Sequence, residues 1–124
     1  MGQAIRPLAL VVEDDRAQRE VLSVLLEESE MKVLECASAE AAVLLLEECG
    51  QDLSLLFTDV QLAGKMDGGT LALFAKQHFP NLTVIVTSGR PRPKQLPQDA
   101  KFMPKPWHAL DVLREAERAQ HYAH

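Results

Sequence analysis

No apolar run in this sequence approaches the ~20 residues that cross a bilayer. The opening stretch MGQAIRPLA also lacks the apolar region of a signal peptide. A membrane-spanning or exported chain is therefore not expected, and the expected location is the cytoplasm. Basic residues are in the minority: 13 Lys and Arg against 18 Asp and Glu leave a formal net charge of −5. Phosphate backbones are bound by clustered basic residues, so direct nucleic-acid binding is not expected. Cysteine is scarce. Cys36 and Cys49 both sit in apolar surroundings, which favours buried free thiols over a disulfide or a metal pair. The histidines, His78, His108, His121 and His124, have no ligand spacing to one another, so a histidine metal site is not expected. Internal repeats and low-complexity tracts are missing too. A chain of 124 residues fits one domain, 1–124, with a single core.

What is present is a regular alternation. Leu8 to Val12 is a short apolar run rich in β-formers, read as a buried strand, and it ends in Glu13, Asp14 and Asp15. Asp15 and Gln18 have capping-box spacing for a helix through Glu28, with Ala17, Val21, Leu22, Val24 and Leu25 sharing a face. Lys32 to Cys36 is a second strand. Ser38 is placed to cap a helix to Cys49 that carries Ala42, Val43, Leu45 and Leu46, with Gly50 as its stop. Leu53 to Thr58 is a third strand, buried on both faces and halted at Asp59. A loose loop bearing Gly64, Gly68 and Gly69 follows. Thr70 to Phe79 reads as a helix with Leu71, Phe74 and Ala75 inward, ended by Pro80. Leu82 to Val86 is a fourth strand, followed by Thr87, Ser88 and Gly89. RPRPKQLPQD then stands where a helix is due. Its prolines remove donors and clash with helix carbonyls, so one turn at most is expected there. Ala100 to Met103 is a fifth strand, and Pro106 to about Gln120 a final helix with Leu110, Leu113 and Ala116 inward. This order predicts an α/β fold: a doubly wound five-stranded parallel sheet with right-handed crossovers.

In such a sheet the strands' carboxyl ends share one edge, where open α/β folds carry their chemistry. The first strand delivers Glu13 and Asp14 there, the third Asp59, the fourth Thr87, and the fifth Lys105. Acids gathered so closely repel, and hold a proton or a cation. All-oxygen donors suit Mg²⁺. Taken alone, Asp59 is more commonly a cap of a turn or of the next helix. Asp15 and Asp67 are better read as caps than as further ligands. Arg90, Arg92 and Lys94 read as a solvated basic loop, and Trp107 as a partly exposed packing residue.

The segments VVEDD, TDVQLAGKMDG, VTSG and FMPKP, in that order and on those strands, resemble the receiver domain of two-component response regulators. The likeness spans essentially the whole chain and is to single-domain, chemotaxis-regulator-like members with a flavodoxin-like fold. It implies that Asp59 accepts a phosphoryl group from a kinase phosphohistidine in a Mg²⁺-dependent phosphorelay. Glu13, Asp14, Asp59 and the backbone carbonyl of Gln61 would hold the metal. Thr87 would follow the acyl phosphate, and Lys105 would pair with it. The Lys105–Pro106 bond would be cis, aiming the lysine inward. Phe102 would turn inward as the switch aromatic, or serve as plain core.

The implied partners are a sensor histidine kinase or phosphotransfer protein and a downstream protein target, with a phosphorylation-dependent homodimer as a further state. Arg19 and Val21 to Val24 are the candidate kinase contacts. No enzymatic activity is implied beyond promotion of the chain's own phosphorylation and dephosphorylation, and no output domain is expected. Two features depart from the family pattern. The loop after Asp59 is one residue longer and lacks the customary proline, and the fourth helix is short or degenerate. That leaves Gly89 to Asp99 as an expected mobile stretch, ordered by phosphorylation or a partner. Two other readings suit the same architecture. A flavin- or nucleotide-binding module needs a Gly- or Ser/Thr-rich anion loop after the first strand, where this chain has EDD. A metal-dependent phosphohydrolase needs a second acid to activate water and a closing cap, and neither is visible.

Overall fold

The five strand segments form one parallel sheet, which positions everything else. The structure, a computed structural model, describes residues 6–122. The strands are β1 (Leu8–Val12), β2 (Lys32–Cys36), β3 (Leu53–Asp59), β4 (Thr83–Ser88) and β5 (Lys101–Pro104), in the order β2-β1-β3-β4-β5. The helices are α1 (Arg16–Glu28), α2 (Ala39–Cys49), α3 (Gly68–His78) and α4 (Ala109–Tyr122). Alternate strand residues feed two cores. Leu10, Val12, Leu56, Val84 and Val86 pack under α2 and α3. Ala9, Val11, Leu55, Phe57 and Ile85 pack under α1 and α4. Burial on both faces explains why these strands are continuous apolar runs rather than alternating ones. Among the described residues, no helix is long and apolar enough to cross a membrane.

The strands and helices fall within a few residues of the sequence-based expectation, and so do most caps. The Asp15 side chain accepts from Gln18 N, the Ser38 side chain from Ala41 N, and the Asp67 side chain from Thr70 N. No helix forms between β4 and β5. There Leu96 packs against the α2/α3 core, and the Asp99 carboxylate meets Lys76 Nζ at 2.7 Å.

Four side-chain placements differ from expectation. On α1, Ala17 is exposed, and Val21 and Val24 are 50% and 53% exposed, while Leu22, Ser23 and Leu26 are buried. Positions 17, 21 and 24 form a second stripe on the opposite side of the helix. Leu22 and Leu26 face the sheet because that pair meets Ala9, Val11 and Phe57. On α4, which starts at Ala109 rather than Pro106, Ala116 is buried as expected, but Leu110 is 58% exposed and Val112 and Ala119 are buried in its place. Gly50 does not end α2 in a left-handed turn. Its φ is −56°, and the chain continues into a single 3-10 turn, Gly50–Asp52. Glycine is required there for space, since a Cβ would overlap the ring of Phe79. Finally, Cys36 and Cys49 are free thiols but only half-buried.

Candidate functional site

The register of the sheet brings the strand ends together. Val12 pairs with Thr58, so Glu13, the next residue after β1, arrives beside Asp59 at the end of β3. On the other side Asp59 pairs with Thr87 of β4. Lys105 follows β5, its backbone N–H donating to Ser88 O at 2.8 Å, and a cis bond joins it to Pro106. The strands therefore deliver an acid pair, a third acid, a hydroxyl and an ammonium to one edge, as their order in the sequence predicts.

Lys105 is the hub. Its Nζ donates to Asp59 Oδ2 at 2.9 Å, Glu13 Oε1 at 3.1 Å and Gln18 Oε1 at 2.7 Å. Glu13 and Asp59 are buried, at 1% and 5% exposure, whereas Asp14 is exposed. Each acid also accepts from backbone: Glu13 Oε2 from Asp15 N at 3.0 Å, Asp14 Oδ2 from Ala63 N at 3.2 Å, and Asp59 Oδ1 from Gln61 N at 3.3 Å. One carboxylate oxygen from each of Glu13, Asp14 and Asp59 lies within 4.8 Å of the others.

The charges perturb one another. Burial pushes the Glu13 carboxyl above its ordinary value, and the Asp59 charge pushes the same way. The Asp15 N–H and Lys105 only partly offset this. Burial would lower the Lys105 ammonium, but its hydrogen bonds to Asp59 and Glu13, and their charges, outweigh that and raise it. Two anions and one cation thus sit largely out of water, with the cation counterbalancing both.

Thr87 is fully buried, and its Oγ1 has no hydrogen-bond partner among the described residues. Buried hydroxyls are nearly always paired, which makes this one, at the Asp59 register position, an exception. Its neighbour Ser88 is satisfied, donating to Gln61 Oε1 at 2.8 Å and accepting from Arg90 N at 2.9 Å. Phe102 lies in β5 opposite Val86 and is half-buried. Trp107, also half-buried, meets Phe57 edge-on, with ring centroids 6.5 Å apart.

Three residues at this edge were not legible in the sequence. Gln18 has the spacing of a reciprocal capping box, yet only its backbone N–H caps, and its side chain goes to Lys105. Its place one turn after the acid pair was the only signal. Gly68 opens α3 directly against the acceptor strand, where a Cβ would overlap the Asp59 carbonyl oxygen. Glu40, at the start of α2, reaches the loop after Asp59. Other residues singled out in the sequence make the following contacts. Arg19 donates to Glu13 O at 2.8 Å and pairs with Glu35 at 3.3 Å. His78 Nδ1 lies 3.0 Å from Phe74 O, and His108 is exposed. His124 and the side chain of His121 lie outside the described residues.

Comparison with known proteins converges on one family. The model of the response regulator receiver domain matches residues 9–111. The chain is 32% identical over 114 residues to the response regulator receiver protein CpdR of Brucella abortus (strain 2308), covering 88% of this chain and 92% of that protein. Among solved structures, it is similar to the receiver domain of the hybrid histidine kinase CckA. That match has a TM-score of 0.75 and 32% identity, and covers 94% of this chain and 99% of that one. A response regulator receiver protein from Sinorhizobium medicae WSM419 superposes with a TM-score of 0.87 at 17% identity, covering 96% of this chain and 98% of that one. At that identity the likeness is one of fold.

Proposed function

The chain belongs to the response regulator receiver family of two-component signalling, and from that premise we propose that Asp59 is its phosphoryl acceptor. The observation that carries the proposal is the pairing of Lys105 Nζ with Asp59 Oδ2 at 2.9 Å, beside a buried Thr87 hydroxyl that has no partner among the described residues. A carboxylate oxygen of Asp59 attacks phosphorus on a kinase or phosphotransfer phosphohistidine. The P–O bond forms as the P–N bond breaks, and the product is an aspartyl phosphate. Such transfer depends on positioning and on neutralising the charge spread over the equatorial oxygens. Lys105 supplies a fixed positive charge for one oxygen, and the Thr87 hydroxyl a donor for another.

The donor set fits a hard divalent cation, because Glu13, Asp14 and Asp59 offer only carboxylate oxygens, within 4.8 Å of one another. These three, with the backbone carbonyl of Gln61, would hold Mg²⁺. When bound, the ion supplies further neutralisation of phosphoryl charge. Once phosphorylated, Asp59 draws the Thr87 hydroxyl toward the new acceptor, and Phe102 turns into the vacated space. That rearrangement reaches a downstream protein through the β4–β5 surface. The chain's own chemistry is confined to gaining and losing this phosphoryl group.

Mass spectrometry after acetyl phosphate treatment, with and without Mg²⁺, tests the reading. Wild type should gain one phosphoryl group in a Mg²⁺-dependent manner, and Asp59→Asn should gain none. Full labelling of Asp59→Asn would move the acceptor elsewhere.

A further inference from the structure

The loop between Asp59 and α3 is held by a side chain that the phosphoryl chemistry does not use. Glu40, the second residue of α2, extends one carboxylate oxygen, Oε2, to two successive backbone donors: Lys65 N at 3.0 Å and Met66 N at 3.1 Å. Just before them the chain passes through Gly64 at φ +101°, the left-handed region that favours glycine. A Cβ at that position would also come within 2.9 Å of Glu40 Oε1. The residue before Gly64 is Ala63, whose N–H donates to Asp14 Oδ2 at 3.2 Å. A continuous line of contacts therefore runs from the α2 carboxylate, through the backbone of residues 63–66, to the acid at the mouth of the site.

The loop needs such a hold. Between Gln61 and Asp67 it contains no proline to restrict φ. Its other fixed points are the Gln61 N–H to Asp59 and the Gln61 side chain to Ser88 at one end, the Gly68 N–H to Val60 O at the other, and Leu62 and Met66, which pack against the α2/α3 core. Asp14 is exposed and makes no salt bridge among the described residues, so its carboxylate is oriented by the Ala63 N–H. Glu40 is itself exposed. Backbone donors, its own N–H first and then those of Lys65 and Met66, hold its carboxyl below its ordinary value.

We propose that Glu40 is a positioning residue for Asp14: by clamping residues 64–66 it holds the Ala63 N–H against Asp14 and presets that carboxylate for the divalent cation. The inference rests on the reading of Glu13, Asp14 and Asp59 as the cation site.

An acid in the first turn of α2 also complements the helix dipole, and the variants are chosen to separate that role from the clamp. Glu40→Asp keeps the charge at the helix start but is too short to span to the loop. Glu40→Gln keeps the reach and an acceptor oxygen. Glu40→Ala removes both. The readouts are the Mg²⁺ dissociation constant by isothermal titration calorimetry and amide hydrogen exchange of the metal-free protein. Loss of one net hydrogen bond sets the scale, so Glu40→Ala and Glu40→Asp should each bind Mg²⁺ roughly fivefold more weakly. Both should exchange faster at Ala63, Lys65 and Met66, while Glu40→Gln stays within about twofold of wild type on the same scale.

Wild-type affinity and exchange in Glu40→Asp would overturn the clamp and leave only the dipole role. Unchanged exchange at Ala63 in Glu40→Ala would overturn it whatever the metal does. Binding by wild type that is lost in Asp14→Asn upholds the cation site independently of Glu40. If wild type itself binds no Mg²⁺, the cation reading falls and this inference with it.

Discussion

Replacing Lys105 by methionine keeps the length and apolar stem of the side chain and removes only the ammonium. It leaves Glu13 and Asp59 facing each other, with side chains 2% and 7% exposed, without their shared cation. At an effective dielectric of about 20, an ion pair at 2.9 Å contributes about 6 kcal/mol before desolvation is counted. Breaking a buried pair by removing one partner typically costs about 3–5 kcal/mol. Lys105 is 20% exposed, so water relieves part of this, and we expect a loss near the lower end, about 3 kcal/mol. That is a large share of the roughly 5–15 kcal/mol stability of a domain, and urea denaturation of the metal-free protein would read it directly.

The pH dependence carries the sharper test. In wild type the contribution of Lys105 is complete below its unfolded value of 10.5 and is lost only as pH rises through its higher folded value. Glu13 already sits above its ordinary 4.5, chiefly through burial, and Lys105 is one of the groups pulling it back down. Without Lys105 it rises further. The folded variant then holds a proton that the unfolded chain has released, so its stability falls as pH climbs from 4.5 through the raised folded value. The Lys105→Met deficit should therefore be larger at pH 8 than at pH 5. Millimolar Mg²⁺ should stabilise the variant more than wild type, because binding to the folded state alone adds stability by mass action. An equal deficit at pH 5 and pH 8, or a deficit under about 0.5 kcal/mol, would show that Lys105 does not relieve repulsion between these two acids.

Two further outcomes follow from single contacts. Gly68→Ala would place a Cβ on the Asp59 carbonyl oxygen and within 2.7 Å of its carbon; both are backbone atoms, so the start of α3 must move away from β3. We expect a loss of about 1–3 kcal/mol with slower phosphorylation, measured by thermal melts and acetyl phosphate labelling, and unchanged values for both would contradict the packing described. Burial pushes the Cys36 thiol up to about 11 from an ordinary 9.0. Its alkylation by iodoacetamide at pH 7.5 should therefore lag far behind that of the unfolded chain and accelerate toward pH 11, whereas equal rates at pH 7.5 would contradict the environment assigned to it.

Much of this molecule follows from order along the chain. Five short strand segments separated by amphipathic helices dictate a parallel sheet, because the central apolar runs β1, β3 and β4, buried on both faces, need crossover helices to cover them. The position of a polar residue just after each run then dictates that Glu13, Asp14, Asp59, Thr87 and Lys105 share an edge. Three prolines within RPRPKQLPQD ruled out a full helix there without reference to anything distant. Caps were legible for the same reason: Asp15, Ser38 and Asp67 bond to amides three residues on.

Tertiary structure decided what depends on partners far away in the chain. α1 carries two apolar stripes, and only docking against β1 and β3 chose Leu22 and Leu26 over Val21 and Val24. The Gln18 amide has local uses in any helix, and it was the arrival of Lys105, 87 residues later, that claimed it. Glu40 meets its loop across 25 residues, and Gly68 lies against the main chain of Asp59 because α3 packs there. A side chain's periodicity and its neighbours within a turn are written locally, whereas its final hydrogen bond is set by whichever group the assembled layers bring within about 3 Å.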